Sequence, residues 1–227
     1  MSENRKFSVL MSVYVKENPV FLEEAVESII HQTLKPSEVV IVEDGPLTPE
    51  LYQVLEKLEA QSSIPIKRCP LEQNRGLGLA LQYGVLQCQY DVITRMDTDD
   101  IAVEDRFEQQ FELMEKENLD LLGGHIAEFI DQPDEIVSYR RVPTKHEDII
   151  VYQRMRSAFN HMTVMFKKEM VLKAGNYEDG LYMEDDLLWL NMISAGARTG
   201  NVDQILCKVR VGAGMFERRG GLRYLKL

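Results

Sequence analysis

The chain has 227 residues, of which 44% are hydrophobic and 28% are charged, so it can bury the core of one large domain. It carries 37 acidic and 26 basic side chains, and its formal net charge of −11 disfavours binding to the phosphate backbone of a nucleic acid. Its three cysteines lie far apart without a CxxC motif, which favours a reducing compartment over a disulfide framework.

Apolar runs alternate with helical periodicities through the first hundred residues. Strands are predicted at residues 8–14, 38–42, 64–69 and 91–96, and helices at 19–30, 51–58 and 74–88. This alternation predicts βαβ units, in which the strands are parallel and the crossovers are right-handed. The sequence therefore predicts an α/β fold with a Rossmann-like, mostly parallel central sheet that is flanked by helices.

The pattern changes after residue 100. The next elements are predicted as a helix at 104–117, a strand at 119–130, a loop at 131–145 with a short strand near 136–139, a helix at 147–156, a strand at 163–166, helices at 168–174 and 184–196, and a strand at 202–211. We expect residues 1–100 and 101–211 to be two halves of one domain, the second half being smaller. Residues 212–227 form a basic, glycine-containing segment that resembles a helix cut short, so we expect the native chain to continue.

Three side chains that suit ligand binding follow predicted strands. They are Tyr14, Asp44 and Asp97. Because ligands of open α/β sheets bind outside the carboxyl ends of the strands, we expect these side chains to line one crevice. Tyr14 can stack on a nucleobase, and Asp44 can accept a hydrogen bond from a base N–H. The alternatives are a core tyrosine and an Asp-Gly pair that only makes a turn.

Residues 95–100, with the sequence RMDTDD, put three carboxylates into four positions. Carboxylate oxygens with open coordination positions suit Mg²⁺ or Mn²⁺ that is shared with substrate phosphates. Asp97, Asp99 and Asp100 therefore indicate a metal–diphosphate site. Taken alone, such a triplet is more often a solvated turn that precedes a helix.

A glycine-containing segment, NRGLGLA, precedes the third predicted helix at residues 74–80. It resembles a loop that cradles phosphate. Alone it is a weak signal, because it holds too few glycines for a dinucleotide-binding fingerprint.

Five motifs occur in one order along the chain. They are SVY at residues 12–14, VEDG at 42–45, NRGLGLA at 74–80, RMDTDD at 95–100 and EDDLLWL at 184–190. Together they resemble glycosyltransferase family 2, whose members have the GT-A fold, over about residues 7–189. The chain has VEDG where the family usually has VDDG, and it keeps Asp44. Segments HMTVMF and ERRGG, at 161–166 and 217–221, are similar to members that build bacterial capsules, exopolysaccharides and lipopolysaccharides.

The resemblance implies roles for the candidate residues. It assigns nucleotide binding to Ser12, Tyr14, Asp44, Asn74, Gly76 and Asp97. Tyr14 and Asp44 would hold the base, and Asp97 would contact the ribose or the donor sugar. Asp99 would bind the Mn²⁺ or Mg²⁺ that bridges the diphosphate, and Asp100 would support it or cap the next turn.

The acceptor hydroxyl must lose a proton as it attacks the anomeric carbon, so the transfer needs a carboxylate base. The resemblance implies that Asp185 is this base, and one base with in-line displacement would invert the anomeric configuration. Apart from the resemblance, an acid at this position is more simply a helix N-terminal residue that is stabilised by the helix dipole.

Two further sites are weaker candidates. Arg218 and Arg219 can close over the diphosphate from a glycine-flanked loop, or they belong to a solvated basic tail. His161 can touch the leaving group or the acceptor, although a structural histidine is the more frequent case. Trp189 is predicted to anchor the core, because it lies on an apolar helix face.

The resemblance implies transfer of one sugar from a nucleoside-diphosphate sugar, with a UDP-sugar expected, to a glycan or polyprenyl-linked glycan. The QxxRW motif of processive synthases is absent, which favours single-sugar transfer. No apolar segment resembles a signal peptide or approaches the ~20 residues of a membrane span. We therefore expect a cytoplasmic enzyme that associates peripherally with the inner face of the membrane.

Two other interpretations stay open at this point. One is a non-catalytic module that binds nucleotide-sugars. The other is a sugar-phosphate nucleotidyltransferase, which should have a glycine-rich basic loop after the first strand. The sequence VKENP at residues 15–19 stands in that place and counts against it.

Overall fold

The computed structural model of the protein describes residues 5–179 and 183–212. The strands are β1 (Phe7–Val13), β2 (Glu38–Glu43), β3 (Ile66–Pro70), β4 (Val92–Arg95), β5 (Ile101–Ala102), β6 (Leu121–Phe129), β7 (Ile136–Arg140), β8 (Met165–Lys167) and β9 (Thr199–Arg210). The helices are α1 (Pro19–Ile30), α2 (Pro49–Gln61), α3 (Leu77–Gln87), α4 (Arg106–Glu117), α5 (His146–Tyr152), α6 (Lys168–Lys173) and α7 (Glu184–Ser194). A 3-10 turn occupies His161–Thr163.

The first four strands form the predicted parallel unit, in the order β3-β2-β1-β4. β1 and β2 are runs of mostly apolar residues because helices cover both of their faces. The chain moves outward from β1 through β2 to β3 and then returns to the other side of β1 as β4. The strand order therefore reverses between β1 and β4, where open α/β sheets bind their ligands.

Two hydrophobic layers enclose the sheet. On one face, α1, α2 and α4 pack through side chains that include Leu22, Leu51 and Phe107. On the other face, α3, α6 and α7 pack through side chains that include Leu81, Val171 and Trp189. These side chains are fully buried, and each burial is worth about 1.5–3 kcal/mol. The role predicted for Trp189 as a core anchor is confirmed.

The remaining strands continue the same sheet with mixed directions. β8 lies antiparallel between β4 and β6, and β9 is parallel to β6. β5 pairs antiparallel with β9, and β7 pairs antiparallel with β6. The predicted α/β class and the parallel arrangement of the first strands are confirmed, whereas every antiparallel pair among the described strands includes a strand after residue 100.

Several element boundaries differ from the predicted ones. β5 was missed, because two residues carry no periodicity. α3 begins at Leu77 because Gly76, with φ +86°, leaves the helical region just before it. β9 begins at Thr199 because that residue pairs with Leu121 of β6. Among the described helices, none combines the length and the apolar character that crossing a bilayer requires.

Candidate functional site

The end of β1 lies between the ends of β2 and β4. The N–H of Asp44 donates to the carbonyl of Val13 (2.8 Å), and the N–H of Met96 donates to the carbonyl of Leu10 (3.1 Å). These bonds hold the segments after β2 and β4 against β1. Asp44 and Asp97 therefore flank the carboxyl end of β1, at the crevice where the strand order reverses.

Asp44 organises the loop before α3. One of its carboxylate oxygens accepts from the N–H of Arg75 (2.7 Å) and the other from the N–H of Gly76 (3.0 Å). The side-chain amide of Asn74 donates to the carbonyl of Asp44 (3.2 Å). The predicted pocket residues Asn74 and Gly76 are thus held against Asp44. Each carboxylate oxygen keeps a second lone pair that a ligand can use.

Gly45 lets this loop approach the end of β2. It has φ +85°, and a Cβ added to it would lie 2.5 Å from the backbone N of Asn74. A side chain at this position would be strained and would displace the loop. The Asp-Gly pair therefore makes a turn and supports the candidate nucleotide pocket at the same time.

The acidic triplet is largely withdrawn from water, unlike a solvated turn. Asp100 is buried and accepts a hydrogen bond from the N–H of Arg210 on β9 (3.0 Å). Burial, followed by the charge of Asp97, raises the pKa of Asp99 to about 6. Burial, followed by repulsion from Asp97 and Asp99, raises the pKa of Asp100. Because these carboxylates repel one another, a bound cation would stabilise their charged forms.

The same carboxylates fit a divalent metal that shares its coordination with a substrate. Oxygen ligands of this kind suit Mg²⁺ and Mn²⁺, which keep open positions for phosphate oxygens. Within residues 5–179 and 183–212, no three His, Cys, Asp or Glu side chains already form a metal-binding group.

Glu17 adds an acid to the cluster that the sequence analysis did not identify. The N–H of Glu17 donates to the carbonyl of Tyr14 (3.1 Å), so the chain turns directly after β1. Burial, followed by the charge of Asp99, raises the pKa of Glu17 to about 7, although a hydrogen bond with Thr98 opposes the shift. Glu17 belongs to no motif, and only the fold brings it to the acidic cluster.

The two residues on β1 and directly after it that were predicted to bind the nucleobase, Ser12 and Tyr14, are both partly buried.

Arg95 is the other site residue that the sequence analysis left without a role. Its side chain is 2% exposed, and its Nη1 lies 2.5 Å from Oδ1 of Asp97. Its charge also lowers the pKa values of Asp185, Tyr177 and His161. Arg95 thus connects the acidic turn electrostatically with the start of α7. In the sequence, Arg95 could have been recognised as a cation that directly follows the uncharged residues of β4.

Asp185 lies in the first turn of α7, and its side chain is 24% exposed. Burial, followed by repulsion from Asp186, raises its pKa to about 6, although the charge of Arg95 opposes the shift. A helix N-terminus alone favours the charged carboxylate, so burial outweighs the helix dipole here. A carboxylate that is ionised at neutral pH and has a pKa near 6 is suited to general-base catalysis.

The start of α7 packs against the start of α3. A Cβ added to Gly78 would lie 3.1 Å from the Cβ of Glu184 and 2.4 Å from the carbonyl oxygen of Glu178. Asp185 therefore lies close to the loop that ends at Gly76.

His161 lies next to Asp185. Its Nε2 is 3.0 Å from Oη of Tyr177, and its Nδ1 is 4.0 Å from Oδ2 of Asp185. The histidine is mostly buried, as a structural residue would be, but its ring also faces the candidate base. Arg218 and Arg219, the predicted diphosphate contacts, lie outside the described residues.

The parallel unit, the crevice at its strand-order reversal and the acids along that crevice define an open α/β protein with a candidate ligand site at the carboxyl ends of its strands. The model of the family described as Glycosyl transferase family 2 matches residues 8–174. The chain belongs to this family of glycosyltransferases.

Three of its curated relatives are bacterial glycosyltransferases. An uncharacterized glycosyltransferase of Haemophilus influenzae is 47% identical over 222 residues, which cover 97% of this chain and 82% of the relative. The amylovoran biosynthesis glycosyltransferase AmsE of Erwinia amylovora is 42% identical over 97% of this chain and 82% of its own length. The UDP-Gal:alpha-D-GlcNAc-diphosphoundecaprenol beta-1,3-galactosyltransferase of Escherichia coli is 38% identical over 96% of this chain and 79% of its own length.

Solved structures of low sequence identity share the fold. S. aureus TarS 1-349 in complex with UDP-GlcNAc has a TM-score of 0.69 at 19% identity, covering 91% of this chain and 58% of that one. The mannosyltransferase PcManGT from Pyrobaculum calidifontis, in complex with GDP-Man and Mn2+, has a TM-score of 0.70 at 16% identity, covering 96% of this chain and 59% of that one. The chain thus spans less than two thirds of these solved chains. The fold is the GT-A fold that the sequence predicted.

Proposed function

We propose that this chain transfers one sugar from a UDP-sugar to a lipid-linked glycan during the synthesis of a bacterial surface polysaccharide. The name of the 38% identical Escherichia coli relative specifies UDP-Gal as donor and a diphosphoundecaprenol-linked sugar as acceptor. The 42% identical relative is named for amylovoran biosynthesis. Both relatives match over most of their length, and this supports a related reaction for the present chain.

One observation carries the proposal: buried Arg95 connects two acidic groups that such a transfer needs. It pairs with Asp97 at the acidic turn, and its charge also acts on Asp185 at the start of α7. In the proposed reaction, the donor's diphosphate lies on the side of Asp97 and the attacking hydroxyl lies on the side of Asp185. The anomeric carbon then lies between the two groups.

The nucleotide is proposed to bind along the ends of β1 and β2. Tyr14 stacks on the uracil, with Ser12 beside it, and Asp44 accepts from the base N–H with its remaining lone pairs. Asn74 and Gly76 line the same pocket. Support comes from the hydrogen bonds of Asp44, which give the loop before α3 a defined position next to β1.

A divalent cation, Mn²⁺ or Mg²⁺, is proposed to be held by Asp99, with Asp97 on the ribose or the donor sugar. Asp100 stabilises the acidic turn by accepting a hydrogen bond from the N–H of Arg210 on β9. The cation, when bound, neutralises the charge that develops on the leaving diphosphate. Arg218 and Arg219 are proposed as further diphosphate contacts.

Asp185 is proposed as the general base. It takes the proton from the acceptor hydroxyl while the oxygen of that hydroxyl attacks the anomeric carbon, opposite the leaving diphosphate. A direct displacement of this kind inverts the anomeric configuration. The partly exposed position of Asp185 and its pKa of about 6 support this role.

The two parts of the chain are proposed to divide the substrates between them. Residues 1–100 hold the nucleotide, and residues 101–211 hold the acceptor. An acceptor on a polyprenyl diphosphate requires the enzyme to work at the cytoplasmic face of the membrane, where peripheral association is sufficient.

The test incubates the purified chain with radiolabelled UDP-sugars and GlcNAc-diphosphoundecaprenol, in Mn²⁺, in Mg²⁺ or in EDTA. We expect one UDP-sugar to label the lipid in the presence of metal, with an inverted anomeric centre by NMR. Asp185→Asn should abolish transfer and retain UDP binding. Asp186→Asn is the matched control and should retain transfer, with a lower pKa of Asp185, because the Asp186 carboxylate accepts from Gln153 (2.9 Å) and acts on Asp185 through its charge alone.

Two results would replace this proposal by one of the other interpretations. UDP-sugar binding without transfer or hydrolysis would indicate a non-catalytic binding module. Formation of a UDP-sugar from UTP and a sugar 1-phosphate would indicate a nucleotidyltransferase. Transfer that survives Asp185→Asn would overturn the assignment of the base.

A further inference from the structure

Three polar side chains from different parts of the chain, Tyr177, His161 and Asp185, follow one another at the start of α7. The hydroxyl of Tyr177 lies 3.0 Å from Nε2 of His161, and the other ring nitrogen, Nδ1, lies 4.0 Å from Oδ2 of Asp185. His161 therefore stands between a buried phenol and the proposed base. None of the five sequence motifs assigns it this position.

The ring of His161 is held from several sides. It packs on Tyr177 with a centroid distance of 5.7 Å and meets Trp189 edge-on at 5.9 Å. Its side chain is only 11% exposed. Burial, with Arg95 nearby, holds the pKa of His161 well below its usual range. His161 is thus a neutral imidazole whose plane is set by its neighbours.

The surroundings of the two ring nitrogens decide which one carries the proton. A lone pair on Nδ1 that faces the Asp185 carboxylate would be repelled, whereas an Nδ1–H would be attracted. With the proton on Nδ1, Nε2 is an acceptor, and the Tyr177 hydroxyl can donate to it. This tautomer satisfies both neighbours of the ring, and the opposite tautomer satisfies only one of them.

We propose that His161 is a positioning residue that donates its Nδ1–H to Oδ2 of Asp185, and that the hydrogen bond between Nε2 and the Tyr177 hydroxyl holds the ring in place. The inference rests on the proposed function, in which Asp185 is the base. The 4.0 Å separation closes to a hydrogen bond when the acceptor binds, since catalytic hydrogen bonds are often long in the free enzyme. Oδ1 of Asp185 then points at the acceptor.

The proton balance of the step leaves His161 unchanged. The acceptor oxygen forms the new bond to the anomeric carbon, and the bond from that carbon to the diphosphate breaks, with its electron pair going to the diphosphate. The proton of the acceptor hydroxyl moves to Oδ1 of Asp185. His161 keeps its own proton and stabilises the carboxylate before the transfer.

The titratable and charged groups that act on Asp185 come from four elements. They are Glu184 and Asp186 on its own helix, Arg95 on β4, His161 in the 3-10 turn and Tyr177 in the segment after α6. The two acids disfavour the ionised base and Arg95 favours it. A hydrogen bond from His161 also favours the ionised base, so its loss is expected to raise the pH at which Asp185 ionises.

The test uses two variants that distinguish the role of Nδ1 from the role of Nε2. His161→Asn places an amide donor near the Nδ1 position, and His161→Gln places one near the Nε2 position. We expect His161→Gln to lower kcat by about 10–100-fold and to move the acid limb of the kcat profile to higher pH, because a hydrogen bond to a charged group is lost. We expect His161→Asn to retain the wild-type limb. Equal effects of the two variants would overturn the proposal.

A spectroscopic measurement tests the tautomer without relying on activity. Nitrogen-15 long-range correlation spectra distinguish Nδ1–H from Nε2–H in histidine-labelled protein. The chain has four histidines, and the signal that is lost in His161→Asn identifies residue 161. We expect the Nδ1–H form in the wild type. The Nε2–H form in the wild type would overturn the proposal.

The outcomes separate this inference from the proposed function. If Asp185→Asn keeps transfer activity, the base is assigned wrongly, and the inference fails with it. If Asp185→Asn abolishes transfer while His161→Gln keeps both the wild-type kcat and the wild-type pH limb, only the role of His161 is wrong.

Discussion

Nη1 of Arg95 lies 2.5 Å from Oδ1 of Asp97, where β4 ends and the acidic turn begins. The arginine is almost completely buried, whereas the Asp97 side chain is 30% exposed. A buried cation is costly unless a charge compensates it, so the two residues depend on each other. The pair also sets the charge of the site, because it compensates one acid of the turn and leaves Asp99 for the proposed metal.

Arg95→Met is expected to destabilise the protein. The substitution keeps an unbranched side chain but leaves Asp97 and its acidic neighbours without their cation, so we expect the free energy of unfolding to fall by about 3 kcal/mol. Urea denaturation measures the loss. The double variant with Asp97→Asn should lose less than the sum of the single variants, because the two side chains interact. Strictly additive losses would contradict a coupled pair.

Asp99→Asn should separate stability from function. Removing one of several repelling carboxylates is expected to raise the Tm of the ligand-free protein by about 2–4 °C. The same variant should lose the additional Tm increase that Mn²⁺ produces in the presence of UDP, because the proposed metal ligand is gone. Differential scanning fluorimetry measures both effects. An Mn²⁺-dependent increase of wild-type size in the variant would exclude Asp99 as a metal ligand.

Asp44→Asn should weaken nucleotide binding through the loop. The carboxylate accepts two backbone N–H groups, from Arg75 and Gly76, and an amide side chain has a single acceptor oxygen. Losing one such bond is expected to lower UDP affinity by about 10–100-fold in isothermal titration calorimetry. Unchanged affinity would show that neither the loop nor Asp44 contributes to the nucleotide pocket.

Two glycines with similar backbone angles provide a matched comparison. Gly45 has φ +85° and would place a Cβ 2.5 Å from the backbone N of Asn74, whereas Gly76 has φ +86° and open space around the same position. Gly76→Ala is expected to cost about 1 kcal/mol of unfolding free energy for the backbone angle alone. Gly45→Ala should cost clearly more, because it also displaces the loop. Equal costs in guanidinium denaturation would contradict this close approach.

The pH dependence of transfer should report Asp185. Its carboxyl must be ionised to accept a proton, and its pKa in the folded protein is raised to about 6. We therefore expect kcat/KM to be constant above about pH 7 and to fall tenfold per pH unit below about pH 5. A profile without an acid limb in this range would contradict the assignment of Asp185.

The same pKa shift has a consequence for stability. When the pKa of a carboxyl is higher in the folded than in the unfolded state, the free energy of unfolding decreases as the pH rises from the unfolded-state pKa to the folded-state pKa. For Asp185 this range runs from the ordinary pKa of an aspartate to about 6. Asp185→Asn should therefore have a higher Tm than the wild type near neutral pH. The difference should shrink in acid, where both forms are neutral.

The amino-acid sequence alone was sufficient to predict much of this protein. β1 and β2 are nearly continuous apolar runs because helices bury them on both faces, and this made the parallel unit recognisable. The rule that ligands bind beyond strand ends predicted that Tyr14, Asp44 and Asp97 lie at one crevice. The motif order led to the family, to which the chain belongs.

Only the tertiary structure decided which groups surround these residues. Glu17 reaches the acidic cluster because the chain turns directly after β1, and no spacing in the sequence encodes that approach. Arg95 and His161 acquire their neighbours from elements that are distant in sequence. Burial is a property of the packed fold, and burial sets the pKa values of Asp99 and Asp185. Local sequence pattern therefore determined the strands and the motifs, whereas long-range packing determined the electrostatics of the site.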